Sequence, residues 1–136
     1  MFIEKNLNPK GELIGDCLIR ALAGFTKRPY KDIKDELYDY GKKHHCVFNS
    51  RSSIYSFCSK YGLTVHTYKE NEKKLAKKYG VKTIKGLTKQ NINRLTKEFK
   101  GNAVVITYNH AVHIEDGNHY DTWDSKRCFA RFMITK

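Results

Sequence analysis

GDCLIRAL, residues 15–22, is the stretch that decides the fold, because it places Cys17 where a turn is expected to become a helix. Apolar residues continue to about Phe25 on nearly every side of this helix, which predicts a buried, central position. Asp16 is expected to be the N-cap, with its carboxylate accepting from the first free backbone N–H groups. A thiol at the positive end of a helix has a lowered pKa, so the stretch predicts a central helix that begins with a candidate nucleophile.

Length and composition predict one domain, residues 1–136, with a hydrophobic core. The chain is 40% hydrophobic and 12% aromatic, which is too apolar for a disordered protein. No apolar run approaches the roughly 18–20 residues that span a bilayer, and the N-terminus lacks the pattern of a signal peptide. We therefore expect a cytoplasmic protein with no membrane partner; the oligomeric state is not indicated.

The cysteines are far apart in the chain and stand at Cys17, Cys46, Cys58 and Cys128. They form no CxxC pair, so neither a zinc ribbon nor a thioredoxin-type site is indicated. In a reducing compartment disulfides are not expected, and the three cysteines after Cys17 are expected to be buried as small apolar residues. His44, His45 and His66 add metal-ligating side chains, but at a spacing that matches no zinc pattern. The sequence therefore predicts no metal site and no cofactor.

Positive charge is concentrated in the middle of the chain. The formal net charge is +12, and the segment 69–100 holds eleven Lys or Arg residues against three Glu residues, hence +8. Such a segment attracts nucleic acid or an acidic protein surface. A solvated lysine-rich face is the alternative interpretation. The residues that we expect to contact a substrate or partner there are Lys73, Lys74, Lys77 and Lys78.

Hydrophobic periodicity predicts helices first and strands afterwards, which favours an α+β domain. After the helix that begins at Cys17, helices are expected from Pro29 past Tyr40 with a weak end at Gly41, from Ser50 or Ser52 to Gly62, over 72–79, and after a cap at Thr88. Strands are expected over 63–68, 103–108, 110–115, 119–123 and 128–135, with Asp116-Gly117 as a hairpin turn. Residues 1–14 are expected to be extended or irregular.

A nucleophilic cysteine needs an imidazole to take its proton, and the imidazole needs an acceptor to orient it. His110, at the start of a predicted strand, is the candidate base, and Asp121, on the returning strand, is the candidate orienting residue. His110 lies six residues before Asp116, and Asp121 lies four residues after Gly117. The two are therefore expected to be neighbours only if the loop adds a residue or the strands slip by one.

Simpler interpretations exist for these residues. His113 competes with His110, and the two point to opposite faces of a strand, so at most one faces the cysteine. Cys17 is otherwise a buried structural thiol. Asp121 is otherwise a turn or ion-pair carboxylate, with Asp124 as its nearest competitor. The residues alone leave these alternatives open.

The two ends of the chain resemble a known family, although the basic middle third does not. NHAV, residues 109–112, resembles the Asn-His-Ala-Val sequence around the catalytic histidine of papain-like cysteine peptidases, and DTW, residues 121–123, stands where that family has Asn-Ser-Trp. GDCLIRA, residues 15–21, resembles the nucleophile helix of small bacterial and phage papain-like proteins. The resemblance implies a papain-like fold, in which N-terminal helices, with the nucleophile helix in the centre, pack on a C-terminal antiparallel β-sheet.

The same resemblance implies a role for each residue. Cys17 would be the nucleophile, His110 the general base and acid, and Asp121 the residue that orients the histidine. Trp123 would shield the histidine's hydrogen bond from water or belong to the core, and we expect it to be buried in either role. Trp123 is also a candidate for contact with the substrate or partner. The backbone N–H of Cys17 would form half of an oxyanion hole.

The other half of the oxyanion hole departs from the family pattern. Papain-like enzymes usually supply it from a Gln a few residues before the cysteine. Here the sixth residue before Cys17 is Gly11, and no Gln precedes the cysteine. Asn8 is the candidate replacement, with Asn6, or Asp16 if protonated, as the alternatives.

Two functions of different classes follow. The resemblance implies a thiol hydrolase, a cysteine peptidase or isopeptidase, that acts on a protein or peptide through a thioester; an amidase or acyltransferase is related chemistry. In this interpretation the segment 69–100 would dock an acidic protein. The second function is a non-catalytic binding module that uses the same segment to hold nucleic acid or an acidic partner.

Overall fold

The computed structural model describes residues 1–12 and 15–136, and these form five helices and seven strands. The helices are α1 Cys17–Thr26, α2 Tyr30–His44, α3 Arg51–Lys60, α4 Glu70–Lys78 and α5 Ile92–Glu98. The strands are β1 Phe2–Glu4, β2 Thr64–Thr67, β3 Lys82–Ile84, β4 Asn102–Ile106, β5 Ala111–Glu115, β6 Asn118–Asp121 and β7 Phe132–Thr135. The predicted α+β class is confirmed. The prediction for residues 1–14 includes Leu13 and Ile14, which lie outside the described residues.

The strands form one sheet in the order β1-β6-β5-β4-β7-β2-β3. All pairings from β6 to β2 are antiparallel, whereas β1 on β6 and β3 on β2 are parallel. The prediction of a wholly antiparallel, C-terminal sheet is therefore wrong at both edges. Each edge is extended by a three-residue strand from elsewhere in the chain, which pairs backbone groups that β6 and β2 would otherwise expose.

The sheet has a hydrophobic core on each face, because alternate residues of its strands point to opposite sides. On one face α1, α2, α3 and α4 pack over strand residues such as Val104, Ile106 and Ile134. On the other face α5 packs over Val105 and Val112. As predicted, α1 is buried and central: it contacts β5, β4 and α2.

Local contacts explain where several helices begin and end. The expected weak end of α2 at Gly41 is wrong, because the helix continues to His44. Gly41 is buried, and a Cβ there would lie 2.6 Å from the Cys46 carbonyl oxygen, so the absence of a side chain lets the following loop pack against the helix. Ser50 caps α3 as predicted, accepting from the Ser53 backbone N–H at 3.2 Å. Thr88 does not cap α5. Its cap is Asn91, which accepts from the backbone N–H of Arg94 at 2.9 Å.

The hairpin turn at Asp116-Gly117 is confirmed. Both residues have positive φ, 54° and 83°, as a two-residue turn between twisted strands requires. Glu115 pairs directly with Asn118, so the turn contains no additional residue. This register fixes which side chains of β5 and β6 are neighbours.

Candidate active site

Three elements bring Cys17, His110 and Asp121 together. Cys17 is the first residue of α1, His110 immediately precedes β5, and Asp121 ends β6. Because α1 packs on β5, and β5 pairs with β6, the start of the helix lies beside the end of the hairpin.

The hydrogen bond between His110 and Asp121 is a diagonal contact across the hairpin. The Nε2 atom of His110 lies 2.6 Å from Oδ2 of Asp121. Continued by one residue, the β5–β6 pairing places Asp121 opposite Val112, two residues from His110. Diagonal neighbours of this kind lie within reach of long side chains. The condition expected from the sequence, an additional loop residue or a slipped strand, is therefore not needed.

His110 lies in an environment that favours its protonated form. Burial lowers the pKa of the imidazole, but the hydrogen bonds and negative charges of Asp121 and Cys17 outweigh this and raise it to about 9. Because Nε2 is bound to Asp121, Nδ1 is the ring nitrogen left for the cysteine. His110 is thus held with one nitrogen on a carboxylate and the other available for proton exchange.

Cys17 lies in an environment that favours the thiolate. Burial raises the pKa of the thiol, but the interaction with His110, the backbone N–H of Ala111 and the charge of Arg20 together bring it below its ordinary value. The shifts of Cys17 and His110 are opposite in sign. Each shift favours the charged form of its group, which is the direction that an activated cysteine needs.

Asp121 is a buried carboxylate, 2% exposed, with a full set of donors. Besides His110, the Ser125 hydroxyl donates to it at 2.8 Å and the Thr122 backbone N–H at 2.8 Å, with a guanidinium nitrogen of Arg20 at 3.5 Å. Burial raises the pKa of Asp121, but these contacts, led by His110, lower it overall. Sequence reasoning missed Thr122 and Ser125, because a side chain that supports a carboxylate has no motif of its own.

Trp123 covers the histidine without being buried. Its ring centroid lies 4.9 Å from that of His110, with 34° between the planes. The expectation that Trp123 is buried is wrong, since it is 49% exposed. Its strand ends two residues earlier, so Trp123 lies on the surface and contacts the imidazole from outside.

Asp16 does not cap α1, and its charge serves another purpose. Its carboxylate accepts from Arg20 at 2.8 Å, Tyr30 at 2.6 Å and Asn8 at 3.2 Å, and no backbone N–H of the helix binds the side chain. Burial opposes ionisation, but these donors lower the pKa of Asp16. These contacts favour the ionised carboxylate, which has no proton to donate to an oxyanion. Arg20 joins Asp16 to Asp121, so one cation links both sides of the site; its i,i+4 spacing from Asp16 is a signal that the sequence contains.

The second oxyanion donor stays a prediction. The Asn8 side-chain amide donates to Asp16 and lies 3.5 Å from the Tyr30 hydroxyl, so it is already engaged. The Asn6 amide donates to the Glu12 carbonyl oxygen. Cys17 begins α1, and the backbone N–H groups of a first helical turn have no acceptor within their own helix.

The competing residues have partners of their own. His113 binds Asn102 through Nε2 at 2.7 Å, and burial, followed by the charge of Lys27, lowers its pKa to about 4. Asp124 accepts from His119 at 3.1 Å. Neither His113 nor Asp124 takes part in the contact between His110 and the cysteine.

A cleft of about 230 Å³ opens beside Cys17 and His110. It is lined by Asn49 just before α3, by Arg51 and Ile54 of α3, by Leu18 of α1 and by the segment 106–111. A larger cavity of about 400 Å³ lies between α2 and α3 and contains none of the three candidate catalytic residues. Because reacting groups define a site better than size, the smaller cleft is the candidate substrate site.

The four lysines singled out in the sequence lie on α4, on the side of the sheet order opposite to β6. Lys74, Lys77 and Lys78 are exposed. Lys73 is half-buried and pairs with Glu70 at 2.9 Å. None of the four lysines lines the cleft beside Cys17 and His110, so any role in binding concerns a partner that extends beyond that cleft.

The remaining cysteines differ in burial. Cys58 is fully buried, as expected, and burial raises its pKa to about 12. Cys46 and Cys128 are only half-buried, so the expectation for them is wrong in degree.

Within residues 1–12 and 15–136, no three His, Cys, Asp or Glu side chains cluster as a metal site would require. In the same ranges, no helix has the length and hydropathy needed to cross a membrane.

Comparison of this chain with family models, with curated proteins and with solved structures finds no match. The functional argument therefore depends on the geometry and chemistry of the site.

Proposed function

We propose that the chain is a papain-like thiol hydrolase that cleaves peptide or isopeptide bonds with Cys17, His110 and Asp121. The observation that carries the proposal is the placement of one imidazole between a buried carboxylate at 2.6 Å and a thiol whose pKa it lowers. The chain order of cysteine, histidine and acid, and a nucleophile helix packed on antiparallel strands, support the papain-like assignment. We place this activity in the cytoplasm.

In the proposed reaction, the Cys17 thiolate attacks the substrate carbonyl carbon and forms a C–S bond. The backbone N–H of Cys17 donates to the developing oxyanion, with the second donor of the oxyanion hole still to be assigned. The imidazolium of His110 then gives its proton to the leaving amine as the C–N bond breaks, which leaves a thioester. A water molecule, deprotonated by His110, then attacks the thioester. The C–S bond breaks, the acid product is released, and the thiolate–imidazolium pair is regenerated.

The proposal is tested by the pH–rate profile of iodoacetamide alkylation, read by mass spectrometry at each cysteine. We expect fast labelling of Cys17 that persists well below pH 8.5, about the pKa of a free thiol. In His110→Ala the labelling of Cys17 should slow at neutral pH and its apparent pKa should rise, because burial then dominates. The exposed histidine variant His44→Ala is the matched control, and the buried Cys58 is the slow internal reference. Labelling of Cys17 that is slow and independent of His110 would overturn the proposed enzyme function.

A binding function for the segment 69–100 is the second candidate. It is favoured by the exposure of Lys82 and Lys85 around β3 together with the exposed lysines of α4. Since α4 packs against β3, these side chains belong to one positively charged region at one edge of the sheet. Such a region would take nucleic acid or an acidic protein, which is either the partner of a non-catalytic module or a docking contact for the substrate.

A further inference from the structure

A buried carboxylate that the proposed reaction does not use holds two arginines beside the cleft. Glu72 is 5% exposed, and its Oε2 atom accepts from Nε of Arg51 at 3.2 Å and from Nε of Arg131 at 3.3 Å. Its Oε1 atom accepts from the Tyr55 hydroxyl at 2.7 Å. Two guanidiniums against one carboxylate leave the cluster with a net positive charge.

Arg51 presents part of this charge to the cleft. It begins α3 and lines the same cleft as Cys17 and His110. Its guanidinium lies 5.0 Å from the ring centroid of Phe132, and the side chain is 30% exposed, so it is fixed by contacts yet reaches water. Among the hydrogen bonds of the described residues, the Arg51 guanidinium uses only its Nε donor, which binds Glu72. Its two Nη groups remain as donors.

Arg131 lies farther from the cleft. It is not a lining residue, and its guanidinium lies 5.8 Å from the ring centroid of Tyr108, which is one. Arg131 therefore acts on the cleft only through its charge, whereas Arg51 lines the cleft and can touch a bound molecule. Substituting each arginine in turn therefore separates the effect of direct contact with a bound molecule from the effect of a more distant positive charge.

We propose that Arg51 forms a subsite for a substrate carboxylate, so that the cleft selects a peptide with an acidic side chain next to the bond that is cleaved. This specificity rests on the proposed thiol hydrolase function. A guanidinium with two free Nη groups matches a carboxylate in geometry as well as charge. Leu18, Ile54 and Ile106 also line the cleft and suit the aliphatic stem of a glutamate. The volume, about 230 Å³, is below the roughly 300–1,000 Å³ of small-molecule sites and suits one side chain of a longer substrate.

The test uses two alkylating probes that differ only in one charge. N-iodoacetyl-glutamate α-amide and N-iodoacetyl-glutamine α-amide share their leaving group and shape, and the second-order rate constant of each is measured at Cys17. The ratio of the two constants reports carboxylate recognition, and it is taken within one protein at a time. Attraction of the anion by His110 is common to all variants, so a change in the ratio is assigned to the substituted residue.

We expect the wild-type protein to prefer the glutamate probe by about tenfold, the effect of one charge-assisted contact. Arg51→Gln should bring the ratio close to one, and Arg51→Lys, which keeps the charge but not the fork, should retain part of the preference. Arg131→Gln should change the ratio less than Arg51→Gln. The control is Lys31→Gln, which removes an exposed cation paired with Asp35 and should leave the ratio unchanged.

A wild-type ratio near one, or a ratio that Arg51→Gln leaves unchanged, would overturn the subsite. If Arg51→Gln does not fold, Arg51→Lys, which preserves the ion pair with Glu72, decides: full retention of the preference contradicts bidentate recognition. Failure of the enzyme proposal is seen separately. It would appear as slow, His110-independent labelling by iodoacetamide, a neutral reagent that does not depend on Arg51.

Discussion

At the scale of single residues, Arg20 connects the parts of the site. Its Nε binds Asp16, the residue before the proposed nucleophile, and its Nη1 lies 3.5 Å from Asp121, which binds the proposed base. The side chain is only 12% exposed. Both carboxylates are buried, so each depends on this cation to offset part of the free-energy cost of burying its negative charge.

Arg20→Gln should lower the free energy of unfolding at neutral pH by about 3 kcal/mol, since it leaves two buried carboxylates short of a cation. The pKa values of Asp16 and Asp121 are lowered in the folded protein, so they stabilise the fold above their unfolded pKa and this stability is lost as pH falls through the folded values. The cost of Arg20→Gln should therefore shrink in acid. Urea denaturation across pH measures it.

The matched control is Arg94→Gln. Arg94 pairs with Glu98 on the surface of α5, also at i,i+4, and its side chain is 65% exposed. Exposed pairs of this kind contribute about 0.3–0.5 kcal/mol. If Arg20→Gln cost no more than Arg94→Gln, the bridge between the two aspartates would have no structural importance.

At the scale of elements, the site depends on how closely α1 approaches β5. Gly24 makes this approach feasible, because a Cβ at that position would lie 2.6 Å from Nδ1 of His113. His113 is itself held by Asn102 and stacks on Tyr120, with 5.2 Å between ring centroids. The helix that carries Cys17 and the strand that follows His110 are thus packed through a glycine–histidine contact.

Gly24→Ala should destabilise the protein by about 1–3 kcal/mol through overpacking, although alanine is the better helix former. It should also slow alkylation of Cys17, because α1 can relieve the clash only by moving from β5. Thermal unfolding and the iodoacetamide rate measure the two effects. Gly86→Ala is the control: a Cβ there would meet its nearest neighbour at 3.9 Å, so the change should be neutral or slightly stabilising. An unchanged stability in Gly24→Ala would contradict the packing argument.

The success of sequence reasoning followed the range of the interactions. The helix at Cys17 and the turn at Asp116-Gly117 were predictable, because apolar periodicity and turn residues act locally. The strands β1 and β3 were not, because three-residue edge strands owe their pairing to distant partners. The range of the interactions also limited prediction of the site. A sequence motif indicated His110, but no local pattern indicated Arg51, because Glu72 holds Arg51 beside the cleft only in the folded chain.

At the scale of the whole molecule, charge is distributed unevenly around the sheet. The exposed lysines of α4 lie beside β2 and β3, whereas the proposed catalytic residues lie at the start of α1, just before β5 and at the end of β6. The two functions proposed for this chain therefore use different side chains, and these can be substituted independently. The ion pair between Glu72, on α4, and Arg51, which lines the cleft, connects the two regions.

The combined substitution of Lys74, Lys77 and Lys78 by Gln tests the basic surface. If this surface binds nucleic acid, affinity for a fluorescent duplex DNA should fall, and the slope of log affinity against log salt should decrease by about 0.9 for each phosphate contact removed. Fluorescence anisotropy measures both, with Lys31, Lys42 and Lys43 on α2 changed to Gln as the control of equal charge. Cys17→Ala should leave the binding unchanged. Equal effects of the two triple substitutions would contradict a specific surface on α4.

The short strand β3 has a consequence for the behaviour of the protein at high concentration. Within the described part of the chain β3 ends the sheet order, so its outer backbone groups have no strand beside them. Open strand edges are where two copies of a sheet protein begin to aggregate, and lysines at such an edge oppose this by mutual repulsion. Lys82 and Lys85 stand at this edge. Salt screens their charge, so the ionic strength that would release a nucleic acid also weakens the protection against self-association.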